Sequence, residues 1–321
     1  MSAIHKTKDN SAKMILGEPE LFVEFLQGFI PVDIFKNISP SDIEDVTDRF
    51  VSLLSEQKDG DTVKRINLKD GSPLFVIAIV EHESKVNFRA SYKMLLYYAL
   101  ILNEYEKEIN KDTKITHTKD FKYPPILPIV FYDGEAEWTS ETNFLHKTEM
   151  GDIFHKYIPK FEYELVSLRD YSFADLAEFG NILSLFMMID KVRTAEGLRE
   201  LGNLPKDQMD KLSNMNIPPH LKELLLKVTT ALLQKINVPQ EEIDVIVEKI
   251  DERGVSEMLA LEDYDVQETR RQARAEVWAE AKATLKFTAK SLLDRGNTLM
   301  DIADIIGISE CKVTELLQEP A

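Results

Sequence analysis

Residues 74–84 read LFVIAIVEHES: an unbroken apolar run from Leu74 to Val80, then Glu81, His82, Glu83 and Ser84. A short apolar run bounded by polar residues predicts a strand buried on both faces. Side chains alternate across a strand, so Glu81 and Glu83 point to one face and His82 to the other. A core strand that delivers two carboxylates to one edge of a sheet suits a hard divalent cation, which takes oxygen ligands.

The flanking segments extend this into an α/β pattern. DTVKRINLKDGS, residues 61–72, predicts a preceding strand joined to the apolar run by a hairpin at Asp70-Gly71. Asp61 stands at its start and comes near Glu81 if the pairing is offset in its favour; the pattern leaves that register open. SYKMLLYYALILNEYEKEI, residues 91–109, predicts a helix whose mostly apolar first half implies burial on more than one side. Ile126–Tyr132 predicts a further buried strand closed by Asp133-Gly134, and FEYELVSL, residues 161–168, one more short strand. In front of them, GEPELFVEFLQGFIP, residues 17–31, spaces Leu21, Phe22, Phe25, Leu26 and Phe29 helically, with Pro31 as the stop. IEDVTDRFVSLLSEQ, residues 43–57, fits a short helix or an irregular strand. Strand, strand, helix, strand behind a leading helix is an α/β order with a crossover helix.

From about Ser172 onward the pattern holds no strong strand. ADLAEFGNILSLFMMIDKV (174–192), HLKELLLKVTTALLQKI (220–236) and QEEIDVIVEKIDERG (240–254) each predict one helix, and a long charged helix runs from 266 to a stop at Gly296. TLMDIADIIGI and SECKVTELLQ predict two short helices divided by Gly307, with Thr298 and Ser309 as N-caps. The chain therefore divides into residues 1–172, carrying the strands, and residues 173–321, a helical region ending in a helix-turn-helix-like pair.

Composition narrows the function classes. The 321 residues are 44% apolar and 30% charged, as in ordinary globular proteins. No apolar run approaches the roughly 20 residues of a membrane span, and residues 1–14 lack the apolar core of a secretory signal. The single cysteine, Cys311, excludes an internal disulfide and a Cys-based zinc site. The six histidines show no zinc-binding spacing. Together these features point to the cytoplasm. The net charge of -17 gives an average field that repels nucleic acid, so binding DNA needs a local basic patch or metal ions. Lys85, Arg89 and Lys93 supply such a patch at the start of the first long helix; Tyr92, Tyr97 and Tyr98 beside them suit base stacking or packing, with packing favoured for Tyr98. At the C-terminus, Glu310, Lys312, Thr314 and Glu315 open the last helix, a balance better suited to protein contacts than to a major groove. The helices before it are candidates for homo-oligomer contacts.

Asp61 at a strand start, EHES after a hydrophobic strand, SYKMLLYY on the next helix and PILPIVFYDGEAEW with Trp138 follow one another in order, and FEYELVSLRDYS closes the region. This set resembles the recombination-promoting nuclease and putative transposase family of the PD-(D/E)XK nuclease superfamily, over about residues 9–175. The resemblance implies a restriction-endonuclease-like fold, a mixed sheet flanked by helices, and a Mg2+-dependent (or Mn2+-dependent) endonuclease acting on DNA in recombination or mobile elements. It implies that Asp61, Glu81 and the backbone carbonyl of His82 hold the metal, with Glu83 as a further ligand or a base and Lys93 aiding phosphate binding. Asp9 corresponds loosely to an N-terminal helix acid of the family. Glu83 departs from the family pattern, which has Gln there, and from the superfamily's Lys. It adds negative charge where a phosphate must dock. The rival expectation is therefore a nuclease fold that no longer cleaves and works as an interaction protein through its C-terminal helices.

Overall fold

The computed structural model describes residues 11–47, 62–69, 71–81, 86–111, 114–254 and 284–318. The chain forms two compact units, Met1–Asp263 and Tyr264–Ala321. The change of composition at residue 172 falls inside the first unit, where strands give way to helices.

The first unit is built on a five-stranded mixed sheet whose spatial order follows the sequence. Its strands are β1 (Ile43–Asp45), β2 (Thr62–Asn67), β3 (Pro73–Glu81), β4 (Ile126–Tyr132) and β5 (Glu164–Ser167). β1, β2 and β3 pair antiparallel, and β3, β4 and β5 pair parallel. The β2–β3 hairpin turns at Gly71, whose φ of 82° is one that L side chains rarely adopt. β1 resolves the ambiguity of residues 43–57 toward a strand at its start; residues 48–57 lie outside the described residues.

Parallel pairing of β3 with β4 requires a crossover, and α2 (Ala90–Ile109) supplies it; α1 (Pro19–Phe29) leads the sheet. α2 buries Ala90, Ser91, Met94, Tyr97 and Ile101, one stripe at helical spacing, against Val63, Phe75 and Val130 of the sheet. Tyr92 and Leu96 are 48% and 41% exposed. The expectation of burial on several sides is thus corrected: the apolar first half of α2 serves one face and leaves its outer side wet. On the sheet's other face α1 buries Leu21, Phe22, Phe25 and Leu26, with Phe25 edge-on to Phe131 of β4 at 6.0 Å.

The stretch at 174–192 forms two helices where one was expected: α3 (Phe173–Phe179) and α4 (Ile182–Lys191). Gly180 leaves the helix with a φ of 58°, and the Asn181 side chain accepts from the Ser184 N–H to start the next one. Both are ordinary helix punctuation. Every residue of α4 from Leu183 to Asp190 is buried, the pattern of a helix enclosed within the fold. The Leu183 N–H at its start donates to Oε2 of Glu24 on α1 at 2.7 Å. Then follow α5 (Ala195–Gly202), α6 (Lys206–Ser213), α7 (Pro219–Lys235) and α8 (Gln240–Arg253).

In the second unit, residues 284–294 are helical and Gly296 follows with a φ of 87°. α9 (Leu299–Ile306) begins at a reciprocal cap: the Asp301 N–H donates to Thr298 Oγ1 and the Thr298 N–H to Asp301 Oδ2. Gly307 ends α9, and α10 (Glu310–Gln318) follows. Ala289, Ile302, Ala303 and Val313 form the core of this unit.

One core residue is a charge. Lys64, on β2, is 1% exposed. Its ammonium donates to Asp45 Oδ2 on β1 at 2.7 Å and to the Gly17 carbonyl at 3.1 Å, and lies 5.9 Å from the centre of the Phe22 ring. Burial alone would push the Asp45 carboxyl up, but hydrogen bonds from Lys64 and Thr47 outweigh it and hold it below the usual aspartate value. The folded protein thus binds the Asp45 proton less tightly than the unfolded chain does. The pair's stabilisation is complete above the unfolded value near 3.8 and disappears as the pH falls through the lower folded value. Asp45→Asn strands the buried ammonium. Because the Asp45 side chain is half in water, the expected loss is about 2 kcal/mol, below that of a fully buried pair. The urea midpoint at pH 7 reads it, and the gap between wild type and variant should narrow as the pH falls below the unfolded value near 3.8.

Candidate active site

The parallel register sets Glu81 opposite Tyr132 and Tyr132 opposite Ser167. β3, β4 and β5 therefore end level with one another, at one edge of the sheet. In open α/β sheets that edge, outside the carboxyl ends of the strands, is where ligands bind.

Of the expected ligands, Glu81 closes β3; its main chain is described and its side chain is not. Asp61, His82 and Glu83 lie outside the described residues, as do Lys85 and Asp9. β2 begins opposite Ala78 at Thr62, about 10 Å along the strand from the level of Glu81 at ~3.3 Å per residue. Lys93 lies in the first turn of α2, which opens nine residues after Glu81. Its ammonium stands 5.5 Å from the centre of the Tyr97 ring, and Tyr97 is itself packed in the core. The helix thus carries the lysine on a buried aromatic support. Arg89, the residue before α2, stands 5.7 Å from the Tyr92 ring. Tyr98 packs edge-on against Phe161 at 5.8 Å, the packing role expected of it.

The expected donor set consists of carboxylates and a carbonyl, oxygen ligands that suit a hard cation such as Mg2+. Among the described residues a different group, Glu18, Glu20 and His220, brings its ligand atoms within 4.8 Å of one another. It joins the start of α1 to the start of α7 and includes a contact of 3.4 Å between His220 Nε2 and Glu20 Oε1.

A second set of charges at the strand ends escaped the sequence reading. Asp133 directly follows β4 and is buried; Arg193, just past α4, donates from Nη2 to Asp133 Oδ2 at 2.7 Å and to the Asp133 carbonyl at 2.9 Å. Arg193 Nη1 meets the carbonyl of Asp190. The guanidinium thus ties the end of the enclosed helix to the end of β4. Beside it Tyr132 is fully buried, its ring 4.9 Å from that of Trp138. Burial, then the charge of Asp133, pushes its phenol up. The phenol also dictates Gly134: a Cβ there would stand 2.2 Å from Tyr132 Oη and 2.3 Å from Cζ. Lys191-Val192-Arg193 at the end of an apolar helix was the available signal for this cluster.

A mixed sheet flanked by helices, with a crossover helix after its central strand, is an α/β frame. The family model described as putative transposase, YhgA-like, matches residues 6–217, about two thirds of the chain. The chain belongs to this YhgA-like transposase family. Searches of curated proteins and of solved structures return no match. No helix among the described residues is long and apolar enough to cross a membrane.

Two substitutions test this edge. Arg193→Ala withdraws the cation from a buried carboxylate and should lower stability by about 3 kcal/mol. Gly134→Ala forces apart a ring and a loop packed without spare room and should lower it by about 2 kcal/mol. Urea titration measures both, and full stability in either variant would contradict the packing described.

Proposed function

We propose that the chain is a metal-dependent endonuclease that hydrolyses phosphodiester bonds of DNA in recombination or in the movement of mobile elements. The observation that carries this reading is the level ending of β3 and β4, which sets Glu81 at the ligand-binding edge of the sheet while α2 begins with Lys93 beyond it. Family membership supports the transposase setting.

In this reading Asp61, Glu81, the His82 carbonyl and Glu83 hold Mg2+ or Mn2+. The metal, when bound, lowers the pKa of a water and stabilises charge on the departing oxygen. The chain's own residues do the rest. Lys93 offers its ammonium to a phosphate oxygen, and the Tyr97 ring beneath it limits the positions that ammonium takes. Glu83 stands where the superfamily has Lys, and in this reading Lys93 on α2 supplies the cation which that position lacks.

A second reading, a non-cleaving interaction protein, draws on the C-terminal unit, where Phe287, Met300 and Ile305 are more than half exposed. Exposed apolar residues on short helices suit a protein partner.

Plasmid nicking with Mg2+ or Mn2+ separates the two. Wild type should nick, and Asp61→Ala or Glu81→Ala should reduce the rate by at least ~100-fold, as loss of a metal ligand does. Lys93→Ala should reduce it by about 10–100-fold, with partial recovery in Lys93→Arg. Equal absence of nicking in wild type and variants would favour the second reading.

A further inference from the structure

We propose that a cavity at the ends of β4 and β5 docks one phosphate of the DNA backbone through Arg169 and Lys191; the assignment to DNA rests on the function proposed above. The cavity encloses about 230 Å3, below the roughly 300–1,000 Å3 of pockets for whole small molecules. It has room for a phosphate group with its water, not for a nucleotide. One wall is the segment after β4, with Asp133, Gly134 and Glu135; the other comes from Arg169, after β5, and from Lys191 and Arg193.

The three cations have different duties. Both terminal nitrogens of Arg193 are occupied by Asp133, Asp190 and Val192, so it adds charge and rigidity. Lys191 donates to the carbonyl of Leu168 at 3.1 Å and, more weakly, to that of Arg169 at 3.5 Å. Two of its three protons are thereby directed, which fixes the ammonium at the cavity with one proton left. Among the described residues the Arg169 guanidinium has no hydrogen-bond or ion-pair partner, and it is exposed at the mouth. A planar fork and a point ammonium on one small cavity match the oxygens of a phosphate.

The carboxylates nearby do not cancel them. Asp133 is engaged by Arg193, and Glu135 is exposed. Asp170 and Glu200 act on Lys191 from outside the cavity, while Arg193 and Arg169 oppose its charge. Burial, the largest influence, likewise disfavours the bare ammonium, and a docked anion supplies the missing counter-charge. Gly134 belongs to the same construction: the buried Tyr132 phenol against it keeps that wall free of a side chain.

The test measures binding of the full chain to a fluorescein-labelled DNA duplex by anisotropy, in EDTA so that nothing is cut, from 50 to 300 mM NaCl. Arg169→Ala and Lys191→Met should each weaken binding about 5–10-fold at low salt and make the slope of log K against log salt shallower by about 1, the signature of one lost phosphate contact. Arg169→Lys should recover part of both. Lys36→Ala, a surface control on the same unit, should change neither. Arg169→Ala removes no hydrogen bond within the described fold, so its result stands even if Lys191→Met folds poorly. Wild-type affinity and slope in Arg169→Ala would overturn the proposal, as would a wild type that fails to bind the duplex. Because metal is absent, failure of nicking with Mg2+ bears only on the nuclease reading, and unchanged binding bears only on this one.

Discussion

The parallel register that sets Glu81, Tyr132 and Ser167 in one line governs everything charged at the working edge of the sheet. Parallel strands cannot be joined by tight turns, so each must be left and re-entered through a crossover. Whatever follows a parallel strand therefore emerges on the same side as whatever follows its neighbours. The main chain of Glu81 closing β3, Asp133 and Gly134 after β4, and Arg169 after β5 share an edge for this reason. A slip of one residue between β3 and β4 would exchange the faces of every side chain on a strand and end the strands out of step.

The edge is held by polar ties that run from enclosed helices to the main chain. Glu24 on α1 accepts from the first turn of α4; Lys191 and Arg193 at the other end of α4 donate to carbonyls beyond β5 and β4. Lys64 does the same between β2 and the segment before α1. Burying these groups is expensive, and a hydrophobic replacement of similar shape often serves stability as well. Their distinctive effect is directional: an apolar contact tolerates rotation and sliding, whereas a guanidinium bonded to both a carboxylate and a carbonyl of Asp133 does not. α4 is largely apolar, and these ties hold its two ends.

Much of this was legible in the sequence. β3 and β4 are apolar runs with polar stops, the hairpin carries Asp70-Gly71, and α1 spaces its Leu and Phe residues helically; each is a local signal. The break between α3 and α4 was missed because the apolar periodicity runs on through it, although Gly180 and Asn181 are ordinary punctuation. Lys64 carries no local sign of its burial. Its partners stand 19 and 47 residues away, and no local pattern reports them. The acidic motif was readable because it is contiguous with a strand, and Lys93 because it lies on the next helix. Arg169, Lys191 and Arg193 come from separate segments and meet only through folding. Of the expected site, the described residues contain the main chain of Glu81 and the whole of Lys93.

The net charge of -17 bears directly on what such an edge can do. Averaged over the surface it opposes a polyanion, and salt that screens this repulsion also screens every attractive contact. Attraction must therefore come from cations in a low-dielectric setting, where screening is weakest. Lys191, half-buried at the end of α4, comes nearer that condition than the exposed Arg169, and the enclosed α4 and the Arg193–Asp133 pair fix the surroundings of both. Contacts of this kind are few, so the chain gains orientation from them more than affinity. A duplex held at a handful of phosphates against a repulsive field will dissociate readily.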